Sequence, residues 1–479
     1  MTARRQTAIL VVCCLAQCLC MLDVSIVNVA LDQIRADLRF STTGLQWVLN
    51  AYTLAAAGFL LLAGRAADLL GRREVFVGGL ALFGLASLAG GLATHPAVLV
   101  AARAAQGLGS AVMAPTSLSI LANAYAEGSA RNRAFGLWGT LGGLGGASGA
   151  LVGGLVTDAA SWRWLLLVNA PLAAAMAVTS LRAIPALPRR ARTFDVAGAL
   201  TLTAGLVLVT YGIVTSHGRG WDALATLGPL AAGAGVLGLF AAVEARLSAA
   251  ALVPPPILRS RALAGAGAAG LCLGAAALSM WFLVSLYLQR ALGLSPLRAG
   301  LTFAPMSLTI VVFTQVASRV AERVGPTRVL AAGMTLLGTG MLLFSRAAAS
   351  GSGAVDLLAP SLLCASGIGC SFVSTTITAN RAVREQDAGL ASGLVTTCFQ
   401  IGGSLGLAVL ASDAFERSFA IGGALALVGA AVAVAQPRSA FAVASSAGKN
   451  DSIASSDTVT SSGVPNVVTV LKKASSPSP

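Results

Sequence analysis

Long apolar runs separated by short polar segments dominate the chain. Fourteen of the runs can span a bilayer: 8–31, 45–64, 75–93, 97–121, 134–156, 164–181, 196–215, 223–243, 263–288, 301–320, 329–344, 357–379, 390–411 and 419–435. A helical span takes about 20 predominantly apolar residues. The pattern therefore predicts an all-α polytopic membrane protein with 14 transmembrane helices.

Part of this pattern occurs twice. Displacement by 254 positions lays Asp68 over Glu322, Gly71 over Gly325 and Val75 over Val329. Displacement by 253 lays Arg131 over Arg384, Gly136 over Gly389, Gly149 over Gly402 and Gly153 over Gly406. Two six-helix bundles, 1–182 and 261–436, are expected on either side of a two-helix insertion with its linkers, 183–260. Such halves, related by an axis along the membrane normal, place a substrate site between them near the midplane. From 437 to 479 the chain is Ser-rich and holds all three lysines, Lys449, Lys472 and Lys473, as expected of a disordered cytoplasmic tail.

Composition removes several function classes. With 56% hydrophobic and only 10% charged residues, the chain lies outside the range of soluble domains. A net charge of +14 would suit a nucleic-acid binder, but here the loops carry it. If the amino terminus is cytoplasmic, inside segments hold 23 Lys and Arg and outside loops hold 8. That asymmetry sets topology. Both termini are expected in the cytoplasm of a multi-pass cell-membrane protein with no nucleic-acid partner. Trp47, Trp162, Trp164 and Trp221 all fall near the outer interface, where amphipathic rings prefer to sit.

The first run is too long for a signal-peptide core and reads as helix one. The eight cysteines fall within spans, so neither a disulfide framework nor a metal site is expected. His95 and His217 fall in outer loops, and no phosphate-binding loop is present. Neither an enzyme nor a cofactor is expected.

Between the second and third runs lies Gly64-Arg-Ala-Ala-Asp68-Leu-Leu-Gly71-Arg72-Arg73, too polar for lipid. It is predicted to form a tight cytoplasmic hinge, with glycines at both ends and Asp68 among the arginines. The segment resembles the loop signature G-x-L-A-D-R-x-G-R-R of the major facilitator superfamily of secondary transporters; Ala66 and Leu69 depart from it. Leu22-Asp23-Val-Ser-Ile-Val-Asn28-Val-Ala-Leu31 resembles the L-D-x-T-[IV]-V-N-V-A-L signature of the fourteen-helix drug:proton antiporter family, with Asp32 where proline is frequent. Arg103-Ala-Ala-Gln106-Gly107-Leu-Gly109 matches R-x-x-Q-G-x-G of helix four. Gly145, Gly149, Gly153 and Gly154 fit the antiporter signature of helix five, with Ala150 in place of its proline.

The resemblance covers residues 1 to about 436. It implies the major facilitator fold and a monomeric, proton-driven exporter of amphipathic organic compounds such as antibiotics. It also implies that Asp68 meets the start of a second-half helix around Gly389 to Ala391, where a helix N-terminus favours a carboxylate. An importer of a small metabolite and a non-transporting sensor on the same fold stand as alternatives.

Asp23 and Arg103 are the charges placed well inside spans, where each costs about 2.5–3.5 kcal/mol without a partner. Counted from the run midpoints they lie ~6 and ~9 Å outward of centre, at a shared depth. They are the expected proton-coupling pair: proton uptake by Asp23 would break the pair and bias the conformational equilibrium. A static ion pair that fixes helix packing is the competing reading. The helix-five glycines permit close approach and read either as a surface on which the halves move or as ordinary packing. Asn28, Tyr52, Gln106, Trp138, Trp281 and Gln289 are the candidates for the substrate cavity. With so few acids in the membrane, neutral or anionic substrates fit at least as well as lipophilic cations.

Overall fold

The computed structural model describes residues 3–126, 128–185, 196–247, 260–350, 356–383, 388–411 and 414–436. These residues contain fourteen long helices and, among themselves, no strand. They are α1 (Ala3–Leu38), α2 (Trp47–Leu70), α3 (Arg72–Gly91), α4 (Pro96–Ala124), α5 (Ser129–Ala159), α6 (Trp162–Ala183) and α7 (Val196–Arg219). Then follow α8 (Leu224–Leu247), α9 (Arg261–Ala291), α10 (Pro296–Val324), α11 (Pro326–Ser350), α12 (Leu358–Arg381), α13 (Ala388–Leu410) and α14 (Phe415–Ala435). Twelve are long and apolar enough to cross a membrane; α5, bent by 40° after Gly146, makes a thirteenth, and α2 contributes the shorter apolar stretch Trp47–Ala63. The expected tail, 437–479, lies outside the described residues, as do the linker segments 186–195 and 248–259.

Helices run past the apolar runs because polar side chains at their ends are no obstacle to helix once outside lipid. α1 has 36 residues, and α11 has 25 where the apolar run spans only 329–344. The expected ten-residue hinge is corrected in the same way. Helix α2 continues through Asp68 to Leu70, and the break is confined to Gly71, whose φ of 105° only glycine adopts without strain. Val75 N–H then bonds the Gly71 carbonyl as α3 begins. Gly325 repeats the device between α10 and α11, with φ 95° and a bond from Val329 N–H to its carbonyl. The 254-residue displacement is thus a repeat of backbone geometry. His217 is a second correction: it sits in the last turn of α7, not in a loop.

We call the end of the bundle that holds Ala3 the near end and the end that holds Leu38 the far end. At the far end one continuous hydrophobic cluster joins Ile26, Leu31 and Ile34 of α1 to Met280, Leu283 and Leu288 of α9. Toward the near end the core divides. One cluster there belongs to α1–α6, others to α9 with α12 and α13 or to α10–α12, and a small one, Leu61 and Leu62 of α2 with Ala199 of α7 and Leu390 and Leu394 of α13, bridges the two sets.

Two seams join the first six helices to the last six. Along α5–α10, a Cβ on Gly154 would meet the Pro296 carbonyl and one on Gly300 the Ala150 carbonyl. Farther toward the near end, Gly143 and Gly146 on the same stripe of α5 have nothing within 4 Å. Along α2–α13, Thr53 Oγ1 and Ser404 Oγ are 2.5 Å apart and Leu61 approaches Gly393.

Helix α7 straddles this second seam. Thr203 packs on Gly58 of α2, Tyr211 lies with its ring centroid 6.4 Å from that of Trp47, and His217 Nε2 donates to the Val409 carbonyl of α13 at 3.3 Å. α8 in turn packs on α7 through Leu230 against Gly212 and Leu237 against Gly205.

Candidate functional site

The charges expected inside the bundle meet. Asp23 is wholly buried and Arg103 is 1% exposed, with Arg103 Nη1 donating to Asp23 Oδ2 at 2.5 Å. Neither ion is left with one partner only, as burial in a low dielectric demands. Asp23 Oδ1 accepts from Asn169 Nδ2 at 3.0 Å and from Gln106 Nε2 at 3.2 Å. Gln106 Oε1 accepts from Arg103 Nη1 at 2.9 Å, and its Nε2 also donates to Ser87 Oγ at 2.6 Å. Arg103 Nε donates to the Val48 carbonyl at 3.0 Å, and its guanidinium lies 4.5 Å from the centroid of the Tyr52 ring.

Each of these groups is set by its helix. Arg103 and Gln106 are three apart on α4 and so share a face. Gly107 brings that face close to α2: a Cβ there would strike the Tyr52 carbonyl. Asn169 projects inward where α6 is interrupted at Val168, between its pieces Trp162–Leu167 and Asn169–Ala183. The network therefore draws on α1, α2, α3, α4 and α6. Ser87 and the Val48 carbonyl carry no sequence signal that marks them out. Asn169 follows the interface tryptophans Trp162 and Trp164 and precedes Pro171.

Beside this network, between the first and last six helices, lies a narrow space with room for little more than a water molecule. Asn28, Asn50, Tyr52, Thr53 and Arg103 line it from one side, and Leu278, Gly403 and Leu407 from the other. Asn28 Nδ2 donates to the Val24 carbonyl at 2.9 Å, while the Asn28 carbonyl accepts from Ser285 Oγ of α9 at 2.7 Å.

Of the six candidates for the cavity, Asn28 and Tyr52 are on this space. The other four lie elsewhere. Gln106 is inside the charge network, and Trp138 Nε1 donates to Ser117 Oγ at 2.9 Å between α5 and α4. Trp281 stacks against Phe303 with centroids 5.0 Å apart, and Gln289 Nε2 donates to Ser285 Oγ at 3.0 Å. Asn50 and Thr53, one turn apart on α2, also line the space and carry no motif that marks them in the sequence.

The hinge candidates separate into three groups. Gly71 makes the α2–α3 break and Arg72 opens α3. The side-chain surroundings of Gly64 and Asp68 lie outside the described residues, and so does the expected contact of Asp68 near Gly389. The glycines of α5 face two ways: Gly145, Gly149 and Gly153 pack against Cys18, Ser25 and Ile26 of α1, within the first six helices. Gly154 alone of the four meets the last six. Close packing inside one half, not a sliding surface, accounts for the first three.

A further ionic contact closes the far end. Arg290 Nε, on the π-helical turn Tyr287–Ala291 that ends α9, lies 2.9 Å from Asp32 Oδ1 of α1. Asp158 Oδ2 accepts from Leu297 N–H at the first turn of α10, at 3.2 Å. There the helix dipole favours a carboxylate.

The family model of the Major Facilitator Superfamily matches residues 13–407, with a second, overlapping match over 269–464. The cephamycin export protein CmcT of Amycolatopsis lactamdurans is 41% identical over 409 residues, covering 84% of each chain. The puromycin resistance protein pur8 of Streptomyces alboniger is 37% identical, covering 84% of this chain and 80% of its own. The multidrug resistance protein Stp of Mycobacterium tuberculosis is 34% identical over 82% of this chain and 72% of its own.

Proposed function

Because the chain belongs to the Major Facilitator Superfamily, we propose that it is a proton-coupled exporter of antibiotic-like organic compounds across the cytoplasmic membrane. The observation that carries this reading is the buried Asp23–Arg103 pair beside the space between the first and last six helices. Relatives named for cephamycin export and for puromycin and multidrug resistance support the substrate class. The superfamily consists of carriers, and the chemistry at Asp23 is proton exchange, not catalysis.

With the near end in the cytoplasm, as the distribution of Lys and Arg favours, the fused core and the Asp32–Arg290 pair close the outer face. Two six-helix halves, 1–182 and 261–436, move about the site. A proton arriving at Asp23 from outside cancels the charge that holds Arg103, Asn169 and Gln106. A network balanced for an ion is then mispaired, and the conformation that hydrates these groups gains weight. That proton is taken up while the outer face is open; once the outer face has closed, as described here, Asp23 releases it to the cytoplasm and the ionic network re-forms.

Substrate accumulation in energised cells and everted vesicles tests the reading. Export that stops when an uncoupler collapses the gradient, and that is absent in Asp23→Asn protein inserted at the normal level, is the expected result. Export by Asp23→Asn with unchanged gradient dependence would place the proton path elsewhere. Labelling of engineered cysteines near Gly220 and in the tail checks the orientation. Access to the tail from outside the cell would overturn it.

A further inference from the structure

The space beside the charge network holds polar groups that nothing in the fold satisfies. Asn50 is completely buried, and neither its Oδ1 nor its Nδ2 has a hydrogen-bond partner. Asn28 is 8% exposed, and its Oδ1 is likewise without a partner. Both residues line the same space. One turn toward the far end, at the residue that caps the start of α2, the amide of buried Gln46 is also unpartnered at both atoms. Buried amides are rarely left so, because losing water without replacement is costly.

The opposing wall offers nothing to pair with them, being Leu278, Leu407 and Gly403. Charge is also absent in net terms. Arg103 is the ionic group on the space, and Asp23 neutralises it from behind. No carboxylate lines the space, so a cation entering it would find no counter-charge and would meet Arg103 instead.

We propose that Asn28 and Asn50 form the polar end of the substrate site and read an uncharged amide or lactam group, with Leu278 and Leu407 taking the apolar remainder. This deepens the export reading and rests on it. Two carboxamides offer an acceptor from Asn28 and both an acceptor and a donor from Asn50, the complement of a secondary amide. A compound lacking that group leaves the asparagines unpaired, and a site built this way discriminates strongly. In the conformation described, the Thr53–Ser404 contact keeps the space to the size of a water. Movement of the last six helices away from the first six admits the compound, and permanent lipophilic cations are poor substrates.

Proteoliposomes with an imposed proton gradient, loaded separately with chloramphenicol, linezolid, tetraphenylphosphonium and ethidium, provide the test. The wild-type protein is expected to move the two neutral amides and not the two cations. Asn50→Leu and Asn28→Leu, each tested so that one misfolded variant does not decide the matter, are expected to raise KM for the amides about tenfold or more. kcat is expected to change little, since the proton machinery is untouched. Transport of the cations as efficiently as the amides, or an unchanged KM in both variants, overturns this inference and leaves the export reading standing. Failure of the wild-type protein to move any of the four probes overturns both.

Discussion

The first six helices and the last six are built from similar parts, yet among the described residues one set buries an ionic network and the other does not. Both use a positive-φ glycine, Gly71 and Gly325, to break one helix into the next. Both also use close glycine contacts: Gly149 and Gly153 pack on α1, and Gly402 and Gly406 pack on Leu271 and Ala275 of α9. At the middle they diverge. Where α1 carries Asp23, the displaced position in α9 is Ala277, and α9 continues with the hydroxyls of Ser279 and Ser285. A buried charge needs partners, and among the described residues the first half supplies them, from five helices. On the proposed function, shared packing with unshared chemistry makes motion a property of both halves and proton coupling of one.

The largest test of that contrast is Asp23→Asn. Leaving Arg103 buried without its counter-charge is expected to cost about 3–5 kcal/mol of stability, read by thermal unfolding in detergent, together with loss of gradient-driven export. Replacing the pair by Asp23→Leu with Arg103→Leu is expected to recover most of the stability and none of the coupling, which separates the structural from the functional share. Next in size is Gly107→Val, which drives a side chain into the Tyr52 carbonyl. Overpacking of this kind costs about 1–3 kcal/mol. Gly402→Val, against the Leu271 carbonyl, is expected to cost as much, because packing is what the halves share. An effect in one half alone would break the comparison.

Smaller effects are expected at the far end and in the second half. Arg290→Gln removes a partly exposed ion pair worth about 0–1 kcal/mol. It should raise labelling of a cysteine placed near the far end of α9 by up to about fivefold, since the outer contact is one of several. Ser279→Ala deletes a buried hydroxyl with no partner and should change stability by less than about 1 kcal/mol without touching gradient dependence. Loss of coupling in Ser279→Ala would show that the second half takes part in proton transfer.

The membrane class, the helix order and the Asp23–Arg103 pair were legible in the sequence because charge inside an apolar run is rare enough to stand out. The rest of the network was not. Ser87 is one serine among many in spans, and Val48 contributes only its carbonyl, which any residue would supply. The hinge was read too broadly because polarity was taken to end the helix. Arg, Ala, Asp and Leu all continue a helix outside lipid, and only the glycine stops it. The direction of the α5 glycines needed the fold: a four-residue spacing fixes a stripe, but not which neighbour meets it. The same holds for Trp138 and Trp281, candidates for the cavity whose neighbours are Ser117 and Phe303.

The helix pair α7–α8 gives the molecule a spine. α7 grips α2 through Thr203 and Tyr211 and α13 through His217, so it holds both covers of the book along one edge. Among the described residues no third helix grips both α5 and α10, which meet through Gly154, Gly300 and the Asp158–Leu297 bond, while Gly143 and Gly146 farther along have nothing within 4 Å. A body bound along one edge turns about that edge. On the proposed function, opening about this edge would part α5 from α10 more than α2 from α13, so that a compound coming from the lipid would find its way in on one side of the molecule only.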